Sequence, residues 1–168
     1  MLPVDASPAL RADGTTVVQP DDLAALQLAA DALTAHPGLP LTVDPEPETI
    51  AALAEAEDAR LASVLDQLAQ GVQGRQVLGG TYADLDVTAW VDSTLAGGPL
   101  ADQVTAGTAA IDRYLGVRAD RRSWMAPGPT TPATLSRQAE LGVDQVVLPE
   151  SALQPLDAAT FPVALTQP

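Results

Sequence analysis

Short apolar runs alternate with longer amphipathic stretches along this chain of 168 residues, and that alternation constrains the fold more than any other feature. Within the longer stretches apolar residues recur at helical spacing, as in the series Leu23, Leu26, Ala30 and Leu33. Successive strands joined by a helix of about ten or more residues pair in parallel through a right-handed crossover. The pattern therefore predicts a mainly parallel α/β sheet with helices packed outside it.

Six short apolar runs are strand candidates, and they cover residues 2–4, 39–43, 75–78, 123–125, 145–148 and 162–165. Helical stretches separate them, over residues 21–36, 47–72, 87–95, 100–115 and 131–141, and the stretch at 47–72 has a first part at 47–53 and a strongly amphipathic second part at 61–72. The run Gln-Val-Val-Leu at 145–148 carries the strongest strand signal. We expect six apolar residues to be buried in strands, namely Val43, Val77, Leu78, Val146, Val147 and Leu148.

The length of the chain favours one incomplete barrel over a complete one. A closed eight-fold (β/α) barrel normally takes ~250 residues. Residues 1–168 therefore fit a single domain with a distorted or partial (β/α) barrel, and a flavodoxin-like doubly wound sheet is the alternative. The start Met-Leu-Pro-Val lacks the basic and apolar regions of a signal peptide. A domain excised from a longer exported protein is preferred over a cytoplasmic protein.

Charge and residue content exclude several classes of partner. The chain has 22 acidic residues against 8 arginines and no lysine, which gives a formal net charge of −14. A field of that sign repels phosphate backbones and anionic headgroups, so we expect no nucleic-acid or membrane-surface partner. No apolar run approaches the ~20 residues of a membrane span. The absence of cysteine excludes disulfides, thiolate nucleophiles and zinc–sulfur sites.

Motifs for metals, nucleophiles and phosphates are missing from the sequence. His36 is the only histidine, so a site with two histidine ligands is impossible, and its place before Pro37 favours a solvated helix end. No G-x-S-x-G elbow is present. The pair Gly79-Gly80 matches neither phosphate-binding fingerprint and favours a sharp turn at a strand end. The sequence therefore predicts no cofactor and no catalytic metal.

The residues that directly follow strands form the candidate site, because both architectures bind ligands at the carboxyl ends of strands. Asp5, Met125 and Pro127 stand at such positions. The predicted ligand-binding residues are Asp44, Tyr82, Asp84, Asp86 and Glu150. Converging carboxylates suit hydrogen bonds to sugar hydroxyls. A pair such as Asp84 and Glu150 would suit acid/base work on a glycosidic bond.

Each of these residues also has a purely structural interpretation. Asp84 or Asp86 would cap the helix that follows them. Asp44 would form an Asx-turn ahead of its Pro-Glu-Pro sequence, and Glu150 would be a solvated loop residue. For the two aromatic residues, Tyr82 and Trp124, the structural interpretation is that both side chains belong to the core.

Four segments together resemble a known family: residues 41–45 (LTVDP), 80–86 (GTYADLD), 124–128 (WMAPG) and 142–148 (GVDQVVL). Their order and spacing resemble the barrel-like domain of a family of uncharacterised large actinobacterial cell-envelope proteins. That domain is similar to the glycoside hydrolase/polysaccharide deacetylase superfamily of distorted (β/α) barrels. The resemblance spans nearly the whole chain, and it implies this fold and an extracytoplasmic place in the cell envelope.

The resemblance also bears on function. Metal-dependent polysaccharide deacetylases hold their metal with an Asp pair and two histidines, and this chain lacks the histidines. A non-catalytic or degenerate domain that binds carbohydrate or cell-envelope components is therefore the preferred hypothesis. Related retaining glycosidases use a Glu nucleophile and an Asp acid, for which Glu150 and Asp84 stand at strand ends. A structural domain without a ligand is the third hypothesis.

Overall fold

The chain folds as a mixed α/β structure, and the computed structural model describes residues 1–10, 16–93, 98–126, 128 and 130–152. The strands are β1 (Leu2–Val4), β2 (Ala9–Leu10), β3 (Thr16–Val17), β4 (Thr42–Pro45), β5 (Gln76–Val77), β6 (Ser123–Met125) and β7 (Gln145–Val147). The helices are α1 (Pro20–Ala35), α2 (Pro47–Glu55), α3 (Ala59–Gly71), α4 (Val87–Asp92), α5 (Gly98–Leu115) and α6 (Pro132–Glu140), and a 3-10 turn follows at Glu150–Ala152. The predicted strand at 162–165 lies outside the described residues.

The main strands pair in parallel, as the sequence predicts. Strand β4 lies between β1 and β5, which places Val43 beside both Leu2 and Val77. Strands β6 and β7 form a second parallel pair, and a single parallel bridge from Leu78 to Asp120 links the two small sheets. Strands β2 and β3 form a short antiparallel hairpin that the sequence patterns do not predict. The described residues form no closed barrel.

The helix ends follow the signals in the sequence. Thr131 caps α6, since its hydroxyl accepts the backbone N–H of Thr134 at 3.2 Å. The glycine that follows α5, Gly116, has a φ of 64°, a left-handed conformation that glycine adopts without strain. The helical stretch that begins at Pro47 divides into α2 and α3, because Asp58 caps a new helix there. Of the predicted helix at 87–95, the structure describes α4, and Leu95 lies outside the described residues.

Two apolar clusters hold the helices against the strands. The larger cluster joins α1, α2, α3 and the end of α5 to β1, β4 and β5 through aliphatic residues such as Leu26, Leu33, Ile50 and Leu53. Each such side chain contributes about 1.5–3 kcal/mol when fully buried. The smaller cluster surrounds Trp124 where α4, α5 and β6 meet. Among the described helices, none is both long and apolar enough to pass through a lipid bilayer.

Strand β7 departs from the predicted burial. Val43, Val77 and Leu78 are buried, as expected. Val147 is 43% exposed, however, so the prediction that it is a buried strand residue is wrong. Val146 is only partly buried, and Leu148 is partly buried and follows the strand. In the described part of the chain β7 pairs with β6 alone, and an edge strand leaves one side without a neighbour.

A row of polar side chains crosses the amino ends of four strands. Four of them are the first residues of their strands, and the fifth, Asp120, lies in the segment before β6. The Thr42 hydroxyl donates to the Gln76 amide oxygen at 2.8 Å, and the Gln76 amide donates to the Asp120 carboxylate at 2.6 Å. Ser123 lies 2.9 Å from Asp120 and 3.2 Å from the Gln145 amide oxygen. Partial burial raises the pKa of Asp120, but the hydrogen bonds that it accepts outweigh burial, and the net pKa is lowered. This row joins the two small sheets at the end opposite to the predicted site.

Candidate functional site

An open cavity of about 920 Å³ lies over the carboxyl ends of the strands. Its walls come from the segment after β1, the end of β4 and the start of α2, the segment after β5, β6, and helix α6. The segments after parallel strands lie at one edge of the sheet, and this is the face where strand-end geometry places a ligand.

One wall of the cavity is strongly acidic. Six carboxylate residues line it: Asp5, Asp44, Glu46, Glu48, Asp84 and Asp86. None of the arginines in the described part of the chain is among the lining residues. The wall therefore offers hydrogen-bond acceptors and negative charge, and no described residue adds a compensating cation to it.

Two neighbouring strands place Asp5 and Asp44 on this wall. Asp44 is the third residue of β4 and pairs in register with Pro3 of β1, and Asp5 directly follows β1. Burial raises the pKa of Asp44 above its usual value, and the negative charge of Asp5 raises that pKa further. The structure thus holds a carboxyl group of increased proton affinity inside the cavity.

Glu46 is held at the junction of β4 and α2. Its backbone N–H donates to the Val4 carbonyl at 3.0 Å, and its carboxylate lies 2.8 Å from the hydroxyl of the fully buried Thr49. The same hydroxyl accepts the backbone N–H of Ala6 at 3.0 Å. Thr49 therefore fastens the segment after β1 to the start of α2, and this contact shapes one side of the cavity.

The pKa of Glu46 is raised, and burial is the largest cause. The hydrogen bond from Thr49 lowers this pKa, whereas the charges of Asp84 and Glu48 raise it. The charges that act on Glu46 thus come from α2 and from the segment after β5, both of which line the acidic wall.

Helix α5 positions the segment after β5. The backbone N–H of Tyr82 donates to the Gln103 carbonyl at 3.0 Å, and the Tyr82 carbonyl accepts the N–H of Glu48 at 2.9 Å. Gly107 lies directly under this segment, because a Cβ atom added there would stand 2.4 Å from the carbonyl oxygen of Gly80. Gly107 is not among the residues predicted from the sequence, although a glycine inside a helical pattern is itself a sign of close backbone approach.

A second wall of the cavity is polar and uncharged. Thr88 of α4 and Thr134 and Gln138 of α6 line it, beside Trp124 of β6. Trp124 is 7% exposed and belongs to the smaller apolar cluster, so it serves as core and as cavity wall at once. The amide oxygen of Gln138 is buried and has no hydrogen-bond partner among the described residues.

The structure brings three of the five predicted ligand-binding residues into this cavity. Asp44, Asp84 and Asp86 line it. Asp86 also caps α4, since its carboxylate accepts the backbone N–H of Ala89 at 2.9 Å. Met125 lines the cavity as well, and Pro127 lies outside the described residues.

Tyr82 and Glu150 are not among the lining residues. The pKa of Tyr82 is raised by burial and by the charges of Glu55 and Glu48, which places its side chain beside α2. Glu150 is exposed and begins the 3-10 turn beyond β7. Asp84 and Glu150, the candidate acid/base pair, therefore do not meet in this cavity, and the roles of both remain predictions.

Two other features of the described residues bear on binding. No three His, Cys, Asp or Glu side chains converge there in an arrangement that would hold a metal ion. A second groove, of about 570 Å³, lies between α1 and the start of α3. Aliphatic side chains and one ion pair, Arg60 with Asp58, dominate its wall, and it gathers no cluster of acceptors comparable to the acidic wall.

Fold and site define a broad class, a mixed α/β protein with an acidic cavity at the carboxyl ends of its parallel strands. No protein-family model matches the chain, and a search of curated proteins finds no match. The chain is therefore assigned to no family, and its resemblance to the cell-envelope barrel domains remains a prediction.

Proposed function

We propose that this chain is a non-catalytic carbohydrate-binding domain that holds a neutral, polyhydroxylated ligand in the strand-end cavity. One observation carries the proposal: a cavity of about 920 Å³ combines an acidic wall of acceptors with an uncharged polar wall and contains no arginine from the described residues. Sugar hydroxyls donate hydrogen bonds to carboxylates, and a hydrogen bond to a charged group contributes about 1.5–3 kcal/mol of net stabilisation.

The charge of the cavity decides which ligands it favours. Phosphorylated, sulfated or uronic-acid ligands would meet the repulsion of Asp5, Asp44 and Asp84, and no cation among the described lining residues would offset it. A neutral sugar avoids this repulsion and supplies the hydroxyl donors that the wall lacks. The cavity is open to solvent and each hydrogen bond is modest, so we expect weak binding, with a Kd on the order of micromolar to millimolar.

We further infer that the sheet is an open arc of a (β/α) barrel. The order β1, β4, β5, β6, β7 follows the chain when the Leu78–Asp120 bridge is counted as the link between the two sheets. A singly wound barrel has this progressive order, whereas a flavodoxin-like sheet reverses direction after its first strands. The resemblance to cell-envelope domains supports an extracytoplasmic location, with cell-envelope glycans as partners.

A glycoside hydrolase is the second candidate, and one observation favours it. The pKa of Glu46 is raised by burial and by Asp84, among other groups, and a carboxyl of raised pKa beside a carboxylate is the pattern of a general acid with its partner. Glu46 and Asp84 replace Asp84 and Glu150 as the candidate pair, because Glu150 does not line the cavity.

Calorimetric titration with four neutral tetrasaccharides, namely cellotetraose, maltotetraose, mannotetraose and chitotetraose, tests the proposal, with tetragalacturonate as the anionic control. We expect at least one neutral sugar to bind and tetragalacturonate not to bind. Asp44→Asn and Asp84→Asn should each weaken binding about tenfold, the effect of about 1.4 kcal/mol. Asp66→Asn on the exposed surface of α3 is the matched control and should leave the Kd unchanged.

Each contrary outcome points to a different function. Failure of every neutral tetrasaccharide to bind would favour the structural domain without a ligand. Equal binding by the wild type, Asp44→Asn and Asp84→Asn would place the carbohydrate site elsewhere. Release of shorter sugars, lost in Glu46→Gln, would establish the hydrolase instead.

A further inference from the structure

Helix α6 buries a polar face, which is the reverse of an ordinary amphipathic helix. Its buried residues are Thr134 and Gln138, one helical turn apart and each 1% exposed. Leu135, on another face of the same helix, is 42% exposed. Among the described helices α1, α2, α3 and α5 bury mainly aliphatic side chains. Natural sequences break such patterning chiefly at functional sites, and α6 breaks it where it lines the cavity.

The two buried side chains of α6 differ in their hydrogen bonding. The Thr134 hydroxyl lies 2.9 Å from that of Thr131 and 3.4 Å from that of Thr88, so it is part of a threonine cluster. The Gln138 amide oxygen is buried without a partner among the described residues. A buried acceptor without a donor is costly to a fold, and it persists where a ligand or a bound molecule supplies the donor.

We propose that Gln138, with Thr134 and Thr88 beside it, forms an uncharged subsite whose amide oxygen accepts a hydrogen bond from a ligand hydroxyl. The subsite and the carboxylates line the same cavity, so they bind different hydroxyls of one sugar chain. This inference rests on the proposed carbohydrate-binding function. It adds that Gln138 is a specificity-determining residue of the site.

One structural alternative involves a second buried polar group, on helix α4. The indole N–H of Trp90 is also buried without a partner among the described residues, and Trp90 packs on the smaller apolar cluster. A water molecule between this donor and the Gln138 oxygen would satisfy both groups without any ligand. Under that alternative Gln138 stabilises the fold and does not bind the ligand.

Gln138→Leu separates the two roles, because it removes the amide and keeps a helix-forming side chain of similar length. We expect it to weaken binding of the tetrasaccharide that binds the wild type about tenfold, equivalent to about 1.4 kcal/mol. We also expect an unchanged or higher Tm, since the variant no longer buries an unpaired acceptor. Gln138→Met provides the same test if the leucine variant fails to fold. Gln70→Leu, at an exposed position on α3, is the matched control for added apolar surface.

The results distinguish this inference from the function on which it rests. Binding that survives in Gln138→Leu and Gln138→Met but is lost in Asp84→Asn would overturn the subsite and leave the proposed function standing. A lower Tm in both Gln138 variants, matched by Trp90→Phe and without a change in Kd, would establish the water-bridged alternative. Absence of any sugar binding by the wild type would overturn both proposals.

Discussion

Gly107→Ala is a sharp test of how the cavity is built, because two physical effects predict opposite signs. Alanine is a better helix former than glycine by about 0.8–1 kcal/mol, so helix propensity alone predicts stabilisation of α5. In the structure, however, the new Cβ would lie 2.4 Å from the Gly80 carbonyl oxygen, 2.9 Å from the Thr81 carbonyl carbon and 3.0 Å from the Tyr82 nitrogen. All three atoms are backbone, so the segment after β5 must move by several tenths of an ångström.

Overpacking of this kind costs about 1–3 kcal/mol, which exceeds the gain in helix propensity. We therefore expect Gly107→Ala to destabilise the fold by about 1 kcal/mol and to lower the Tm by roughly 2–4 °C. Thermal unfolding followed by circular dichroism measures the change. Amide shifts at Gly80 and Tyr82 in a ¹⁵N spectrum report the displacement of the segment.

Gly98→Ala is the matched control in the same helix, because nothing lies within 4 Å of a Cβ added there. It should leave the Tm unchanged or raise it slightly. A rise in Tm for Gly107→Ala, with unchanged amide shifts at Gly80 and Tyr82, would refute the close seating of this segment on α5.

Three further changes test other parts of the account. Asp86→Ala removes the cap of α4 and should cost about 1 kcal/mol in chemical denaturation, whereas Ala at the exposed Asp84 should cost less. Arg75→Met removes the guanidinium that donates to the carbonyl groups of Leu33, Gly71 and His36 at the ends of α1 and α3, and should cost about 1–3 kcal/mol. Lysine at position 75 should restore only part of that loss, because it lacks the planar fork. Burial and neighbouring charges raise the pKa of Glu46 above its usual value, so the stability that its protonated form contributes is present below the pKa of the unfolded chain and is lost as the pH rises through the raised pKa. Glu46→Gln should therefore be more stable than the wild type at about pH 7, and this advantage should disappear at about pH 4; equal differences at both values would contradict the raised pKa.

The sequence predicts those parts of the fold that depend on local pattern. The apolar runs around Val43 and Val77 form buried parallel strands, and Thr131 begins α6 as its capping chemistry predicts. The prediction that Val147 of β7 is buried is wrong, because a run of apolar residues does not reveal how many neighbouring strands the strand has. The hairpin of β2 and β3 has strands of two residues, too short for an alternating pattern to appear.

The candidate site was predicted in its position more than in its composition. Strand-end reasoning selects Asp44, Asp84 and Asp86, since each is within a few residues of a strand end. It misses Glu46, although that residue directly follows β4. It also misses Gln138, because the place of Gln138 in the cavity depends on how α6 lies against the sheet. The sequence offers one signal for Gln138, a helix whose polar residues at positions 134 and 138 lie one turn apart, but it does not tell which face of α6 is buried.

The proposed function requires that the cavity over the carboxyl ends of the strands bind a neutral sugar. Titration of ¹⁵N-labelled protein with the tetrasaccharide of highest affinity tests this binding, because the amide shifts map the contact surface. We expect shifts concentrated at Asp44, Glu46, Gly80, Asp84 and Gln138. Shifts confined to the opposite end of the sheet, at Thr42, Gln76 and Ser123, or to the groove between α1 and α3, would contradict it, and so would a spectrum that no neutral tetrasaccharide changes.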